Sequence, residues 1–375
     1  MNELHLHIIA FDIPYPPTYG GVIDVFYQIM ALSVAGVHIH LHAFDYGKGK
    51  RSEELEKLCF SVNYYQRFTG IWSALSMKPY IISSRRSDRL LAELAKDKHP
   101  ILFEGLHTCN HINDSRLKGR IKLIRPTNIE HQYYAHLALA ESNILRKIYF
   151  VKAALKLFFY QSVIRHADII LPVSDQDSIY FKRKFPDLKV ITLPCFHGYS
   201  WTKDEKGGGN YVLFHANLEV AENERSAVYL MQKIMNDMDF PFIIAGNSPS
   251  NRLIQFAAHY PNVSIIASPD ETTMVELITK AHIHLLVTFQ STGFKLKLLN
   301  ALYNGNFVVA NNKMVQGTGL ETSCYVANTA DDMKRLVQIL INTDSHFHKE
   351  ENDSNVLLEN YDNKKNASKL LDLMH

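Results

Sequence analysis

Short apolar segments of strand length alternate with stretches of helical periodicity along this chain, and the alternation runs twice. In the first run LHLHIIAF (4–11), VHIHLHAF (37–44), ILFEGL (101–106), IKLIR (121–125), DIILPVS (168–174) and LKVITLP (188–194) read as strands. In the second, YVLFHA (211–216), FPFIIAG (240–246), VSIIA (263–267), HIHLLVT (282–288) and NFVVAN (306–311) do, with helices over 223–236, 270–280 and 293–304. Strands joined by helical crossovers run parallel, and a parallel sheet covered on both faces accounts for strands this apolar. The pattern predicts an α/β chain of two doubly wound domains, and 375 residues are too many for one ordinary core.

Between the runs, CFHGYSWTKDEKGGGN (195–210) loses all periodicity and collects glycine and mixed charge. It divides a first domain, 1–195, from a second, 211–354, with a linker over 196–210. A helical segment near 355–374 has no strand after it and is placed to cross back onto the first domain. Open sheets of this kind bind ligands outside the carboxyl ends of their strands, so the site is expected in a cleft between the two domains.

Charge narrows the partners. Forty Lys and Arg against 38 Asp and Glu give +2, far from the cationic excess of a nucleic-acid binder, and no nucleic acid is expected. The charge is unevenly spread, with residues 1–195 at +7 and the remainder at −5. The basic half suits an anionic surface or a phosphorylated acceptor, although solvated faces alone also produce such a split. Four scattered cysteines without a C-x-x-C pair indicate neither a zinc knuckle nor a disulfide framework and suit a reducing cytosol. The first residues lack the basic and apolar regions of an export signal, and the uncharged stretch 25–44 is interrupted by Gly36, His38, His40 and His42. A cytoplasmic protein is expected, with peripheral contact to the inner membrane face an open option. Neither G-x-G-x-x-G after the first strand nor a P-loop is present, which disfavours a dehydrogenase and a P-loop NTPase.

The most informative segment is STGFKLKLLNALYNGNFVVAN (291–311). On a helix over 293–304, Gly293, Lys297, Asn300 and Asn304 form a polar stripe beside a leucine-rich face. Ser291, Thr292 and Gly293 would supply free backbone N–H groups at its first turn, with Lys295 and Lys297 as cations, and a diphosphate could be held there. An amphipathic helix facing water has the same spacing. Gly20 and Gly21 after the first strand allow close approach to a phosphate or serve a turn needing positive φ. Gly317-Thr318-Gly319 is a weaker loop of the same kind, while Gly207-Gly208-Gly209 precedes a strand and reads as linker. His107, with Glu104, lies at a strand end facing the expected cleft, and Glu130 opens a helix in the N-I-E-H turn.

Histidines alternate on the first two strands, at 5 and 7 and at 38, 40 and 42. With no carboxylate pair at ligand spacing, no metal is expected. The helix after Glu141 mixes Arg146, Lys147, Lys152 and Lys156 with Tyr149, Phe150, Leu155, Phe158, Phe159 and Tyr160. It reads either as a surface for an anionic membrane or as a core helix with snorkelling lysines.

Four stretches, in order along most of the chain, resemble family 4 glycosyltransferases of the GT-B fold. They are the Gly20-Gly21 turn, R-P-T-N-I-E-H (125–131), A-D-I-I-L-P-V-S (167–174) and G-F-K-L-K-L-L-N-A (293–301) followed by Gly305. The resemblance implies two Rossmann-like domains facing across a cleft, with acceptor on the first and donor on the second. It implies transfer from a UDP- or GDP-linked sugar, as co-substrate and without cofactor or metal, to a saccharide or lipid-linked acceptor with retention, in bacterial surface polysaccharide synthesis. His107 matches a histidine contacting the donor sugar, and Glu130 is a candidate for the acceptor hydroxyl. The sequence also departs from the family. Thr292 and Asn300 stand where many members carry two glutamates, and Asn217 and Glu222 where an arginine and a lysine grip the diphosphate. Lys295 and Lys297 can replace that charge, Asn300 can still hydrogen-bond a ribose hydroxyl, and Asn217 stays among the donor-binding candidates. A catalytically inactive binding or partner protein and a nucleotide-sugar epimerase remain as alternatives.

Overall fold

The computed structural model describes residues 3–46, 51–70, 73, 76–200, 209–290, 292–293, 295–344, 357 and 359–374. The first sheet contains β1 (His5–Ala10), β2 (His38–Asp45), β3 (Ser61–Gln66), β4 (Ile101–Glu104), β5 (Lys122–Arg125), β6 (Ile169–Ile170) and β7 (Lys189–Val190). The second contains β8 (Val212–His215), β9 (Phe242–Gly246), β10 (Val263–Ala267), β11 (Ile283–Leu286), β12 (Phe307–Ala310) and β13 (Tyr325–Val326). Spatial orders are β3-β2-β1-β4-β5-β6-β7 and β10-β9-β8-β11-β12-β13, and every recorded pairing is parallel. Each is the doubly wound Rossmann order, reversing direction beside its first strand.

Alternation along the strands fills both faces. Leu6, Ile8, Ile39, Leu41 and Leu102 pack on one side of the first sheet, and Ile9, Phe44, Ile101 and Phe103 on the other. In the second sheet Val212, Phe214, Phe242, Ile244 and Leu285 face the larger core, while Leu213 and Ala245 face a smaller one. The chain returns near its end: Leu357 and Tyr361 lie in the second core, and Ala367, Leu370 and Met374 in the first. Asn363 exchanges hydrogen bonds with the His197 backbone, fixing helix Asn363–Leu371 beside helix Gly20–Val34.

Several elements differ from the sequence reading. β3 and β13 have no strong apolar signal, one being a polar sheet edge and the other two residues long. β6 pairs over only two residues because Pro172 lacks the N–H needed to extend the ladder. β4 ends at Glu104, since Gly105 turns the chain with φ +69° into a 3₁₀ helix, Leu106–His111. Helix Ile144–Tyr160 is not a core helix: it buries Leu157 alone, while Leu145 and Phe159 are 75% and 72% exposed. Among the described residues no helix is long and apolar enough to cross a membrane, and the four cysteines form no disulfide with one another.

Candidate functional site

Two connected hollows occupy the space between the sheets, beyond the carboxyl ends of β1, β4, β8 and β11. The inner one, about 290 Å³, is lined by Phe11, Gly20, Gly21, His107, Glu130 and Leu296 among others. The outer one, about 440 Å³, runs from Tyr19, Gly20 and Asn128 of the first sheet's loops to Asn217, Asn223, Thr292, Lys295, Lys297 and Asn300 of the second's. Of the candidates drawn from sequence, the structure gathers Gly20, Gly21, His107, Glu130, Asn217, Thr292, Lys295, Lys297 and Asn300 around this space. Ser291 lies outside the described residues.

The helix carrying the lysines begins later than its periodicity predicts, at Leu296, with Lys295 as N-cap. Gly293 is therefore not on the polar stripe. It sits in the preceding turn at φ +68°, where a Cβ would lie 2.1 Å from Asn128 Oδ1 and 2.6 Å from Thr127 O of the other domain. Its N–H donates to Asp177 Oδ2 at 3.1 Å, a second link across the cleft. This glycine is a point of interdomain contact. Gly317 is another: its φ is +74°, its carbonyl accepts from Asp175 N, and a Cβ would meet Gln176 at 2.8 Å. The Gly317-Thr318-Gly319 loop is thus explained by domain contact.

The two lysines differ. Lys295 Nζ donates to the carbonyls of Thr292 and Gly293, stapling its own turn. Lys297 Nζ has one hydrogen-bond acceptor among the described residues, Asn223 Oδ1 at 3.2 Å, and lies over the Phe214 ring. Enclosure by protein pulls both ammonium groups down to about 8, with Glu222 opposing the shift in each and Asp177 in Lys295. Glu222 does not face the outer hollow as a free carboxylate. Its Oε1 accepts from Thr288 Oγ1 and Phe289 N, tying helix Ala221–Lys233 to the end of β11. Asn217 Oδ1 caps its own turn by accepting from Glu219 N, and Asn300 Oδ1 accepts from Asn304 Nδ2.

On the opposite wall neither Gly20 nor Gly21 has positive φ, so the turn explanation fails for both. Gly21 is required by packing, because a Cβ would come within 2.6 Å of the Phe11 ring. Gly20 has room, its nearest neighbour being Leu296 Cδ1 at 3.7 Å, and it borders both hollows. The φ of Gly105 places His107 just beyond β4, its Nδ1 3.9 Å from Glu130 Oε1. That separation is too long for a hydrogen bond, and both atoms are buried without a partner among the described residues. Burial, helped by Arg85 and Arg67, holds the imidazole well below its ordinary range, and burial raises the Glu130 carboxyl to about 8. At neutral pH the pair is a neutral imidazole and a protonated acid, each with an unused polar atom. By contrast Glu104 lines neither hollow: it is buried 3.6 Å from Arg125, which Asp24 on the wall of the inner hollow also engages. Asn128, Asp177, His215 and Asn223 were not identified from sequence. Asn128 stands in R-P-T-N-I-E-H without a role of its own, the other three stand outside the four matching stretches, and only the fold brings all four to the cleft.

No family model matches the chain. A protein described as an uncharacterized 44.6 kDa protein in the cps region of Klebsiella pneumoniae is 26% identical over 379 residues, covering 96% of both chains. Among solved structures, sucrose-phosphate synthase from Thermosynechococcus elongatus superposes with a TM-score of 0.74 at 13% identity, covering 99% of this chain and 98% of that one. TarM from S. aureus, as a variant in complex with fondaparinux, α-GlcNAc-glycerol and UDP, gives 0.67 at 12% identity with 100% of both chains covered. A glycosyltransferase from Rickettsia africae gives 0.65 at 13%, covering 100% and 98%. With its two parallel Rossmann-like sheets and the cleft between them, the chain has the GT-B fold of these glycosyltransferases.

Proposed function

We propose that this protein is a retaining, metal-independent glycosyltransferase that moves a sugar from a UDP- or GDP-linked donor to a saccharide or lipid-linked acceptor in bacterial surface polysaccharide synthesis. One observation carries the reading: a cleft with cations on the second-domain wall faces unpaired, oppositely tuned polar groups of His107 and Glu130 on the first. Lys297, with two donor positions still available, suits the departing diphosphate through fixed charge, and Gly20 leaves room for it to approach the backbone. His107 suits the sugar and Glu130 an acceptor hydroxyl. The UDP in the TarM complex and the cps-region relative support donor class and setting. Release of UDP or GDP from a panel of sugar nucleotides, with and without saccharide acceptors, tests it. Tight nucleotide binding without release under any pairing would favour an inactive binding protein, the alternative raised by Thr292 and Asn300.

If the diphosphate meets Lys297, Lys297→Ala weakens nucleotide-diphosphate binding by about 1–3 kcal/mol, the scale of a charge-assisted hydrogen bond. Because the lysines titrate near 8, parental affinity should also decline as pH rises from 7 to 9, as the ammonium groups lose their charge. Calorimetry that finds Lys297→Ala and parent equal at every pH removes the lysine from the donor site.

The acceptor side extends to helix Ile144–Tyr160. Ile144, Leu145, Ile148, Val151, Leu155 and Phe159 are exposed along it, and the sequence from 139 to 160 carries Arg146, Lys147, Lys152 and Lys156 against one acidic residue, Glu141. Apolar and aromatic side chains interleaved with cations fit an anionic bilayer surface, and we read this helix as the peripheral membrane contact. Co-sedimentation with anionic vesicles should be strong at low salt and fall as salt shortens the Debye length to about 8 Å. Protein remaining in the supernatant at low salt would leave a soluble acceptor as the better reading.

A further inference from the structure

We propose that Glu3, His5 and His38 form a site for a borderline divalent metal such as Zn²⁺, at the amino-terminal ends of β1 and β2 on the side of the first sheet away from the cleft. His5 and His38 each begin their strand and are register partners across the β1–β2 ladder, so the backbone itself holds them side by side. His5 Nε2 lies 3.9 Å and His38 Nε2 4.0 Å from the same carboxylate oxygen, Glu3 Oε2. These separations are too long for hydrogen bonds. They are only slightly wider than the roughly 3.3–3.6 Å between tetrahedral corners about 2.0–2.2 Å from zinc. Glu3 is 72% exposed and all three ligand atoms lie within 4.8 Å of one another, so the closure needed falls on an exposed carboxylate and on two imidazoles that are only half-buried.

The surroundings fix the imidazoles as metal ligands require. The other nitrogen of His5, Nδ1, is hydrogen-bonded to His40 Nε2 at 3.0 Å, and His40 Nδ1 to Ser61 Oγ at 2.9 Å. This chain sets the tautomer and orientation of the ligating ring, as second partners of metal-bound histidines do. Phe60 packs edge-on against His5 and His38, and His99 stacks on His5 at 4.5 Å. A competing set, His5, His40 and His99, also brings three ligand atoms together, but using it would break the 3.0 Å His5–His40 hydrogen bond. Two histidines and a carboxylate, with a fourth position open to water, are a donor set suited to zinc, and copper(II) would bind the same N/O set more tightly still. Such an ion would clamp β1 to β2 far from the reacting groups.

The test is calorimetric titration of the metal-stripped full chain, without a histidine tag, with zinc chloride near neutral pH, together with thermal unfolding. We expect one equivalent of Zn²⁺ to bind and to raise the melting temperature. His38→Ala should weaken binding about tenfold or more with the metal-free melting temperature kept, and His99→Ala should change it less than about threefold. Glu3→Gln, on an exposed side chain with little part in folding, should also weaken binding and serves if His38→Ala is unstable. A parent that binds no zinc, or binding left unchanged in both His38→Ala and Glu3→Gln, overturns the assignment. So does loss in His99→Ala without loss in His38→Ala, which would move the ligands to the competing set.

Discussion

Replacing His107 by alanine is expected to lower turnover by about 10²-fold while leaving UDP or GDP affinity within about twofold. The imidazole lies beyond β4 on the wall opposite Lys297, and under the proposed function it meets the sugar rather than the diphosphate. Burial and the nearby Arg85 and Arg67 keep it neutral, and its Nδ1 has no partner among the described residues. A neutral ring with an unused polar atom can meet a sugar hydroxyl or ring as charge develops, at no cost in desolvating a cation. An interaction strongest in the transition state lowers kcat and spares the binding of the product nucleotide. His107→Gln, which retains polar atoms, should recover part of the rate. Equal turnover in parent and His107→Ala would mean that the histidine only fills space beside Phe11.

The second large effect is expected at Gly293. Gly293→Ala should reduce kcat/KM by about 10²-fold, because a misplacement of only about an ångström carries a penalty on that scale. The substitution meets two obstacles. Positive φ costs a β-carbon roughly 1–2 kcal/mol, and the Cβ would collide with Thr127 and Asn128 across the cleft. The side chain therefore pushes the domains apart and breaks the Gly293–Asp177 hydrogen bond. Gly319→Ala separates the two causes: Gly319 has φ +72°, yet a Cβ there meets only Asn360 Nδ2 at 3.5 Å. Gly319→Ala should lose only the φ contribution, roughly 1–2 kcal/mol, with little loss of activity. If both variants keep parental kcat/KM, domain contact at Gly293 does not govern the reaction.

Much of the fold was legible because βαβ units write their burial directly into the chain. Strands covered on both faces are largely apolar, as in FPFIIAG and NFVVAN, and each helix between them shows one apolar stripe. Two of the four edge strands, β3 and β13, escaped: SVNYYQ is mostly half-buried and needs no apolar run, and β13 is only two residues long. At the site, periodicity placed Lys297 and Asn300 on one helix but carried that helix three residues too far, over Gly293. Polar spacing records what would share a face if the helix continued, and it contains no term for the neighbouring domain that stops it.

What the sequence by itself determined was the number of sheets, their parallel sense and the segments whose ends meet at the cleft, since local periodicity and crossover geometry suffice for these. Only the tertiary structure separated Lys295, consumed by its own turn, from Lys297, with donor positions left. It alone showed Glu222 bound to the end of β11, Gly21 dictated by Phe11, and Gly293 pressed on Asn128. Hydrogen-bond saturation, close approach and a shifted protonation state depend on atoms that are distant in the chain, and no spacing rule along one strand or helix records them.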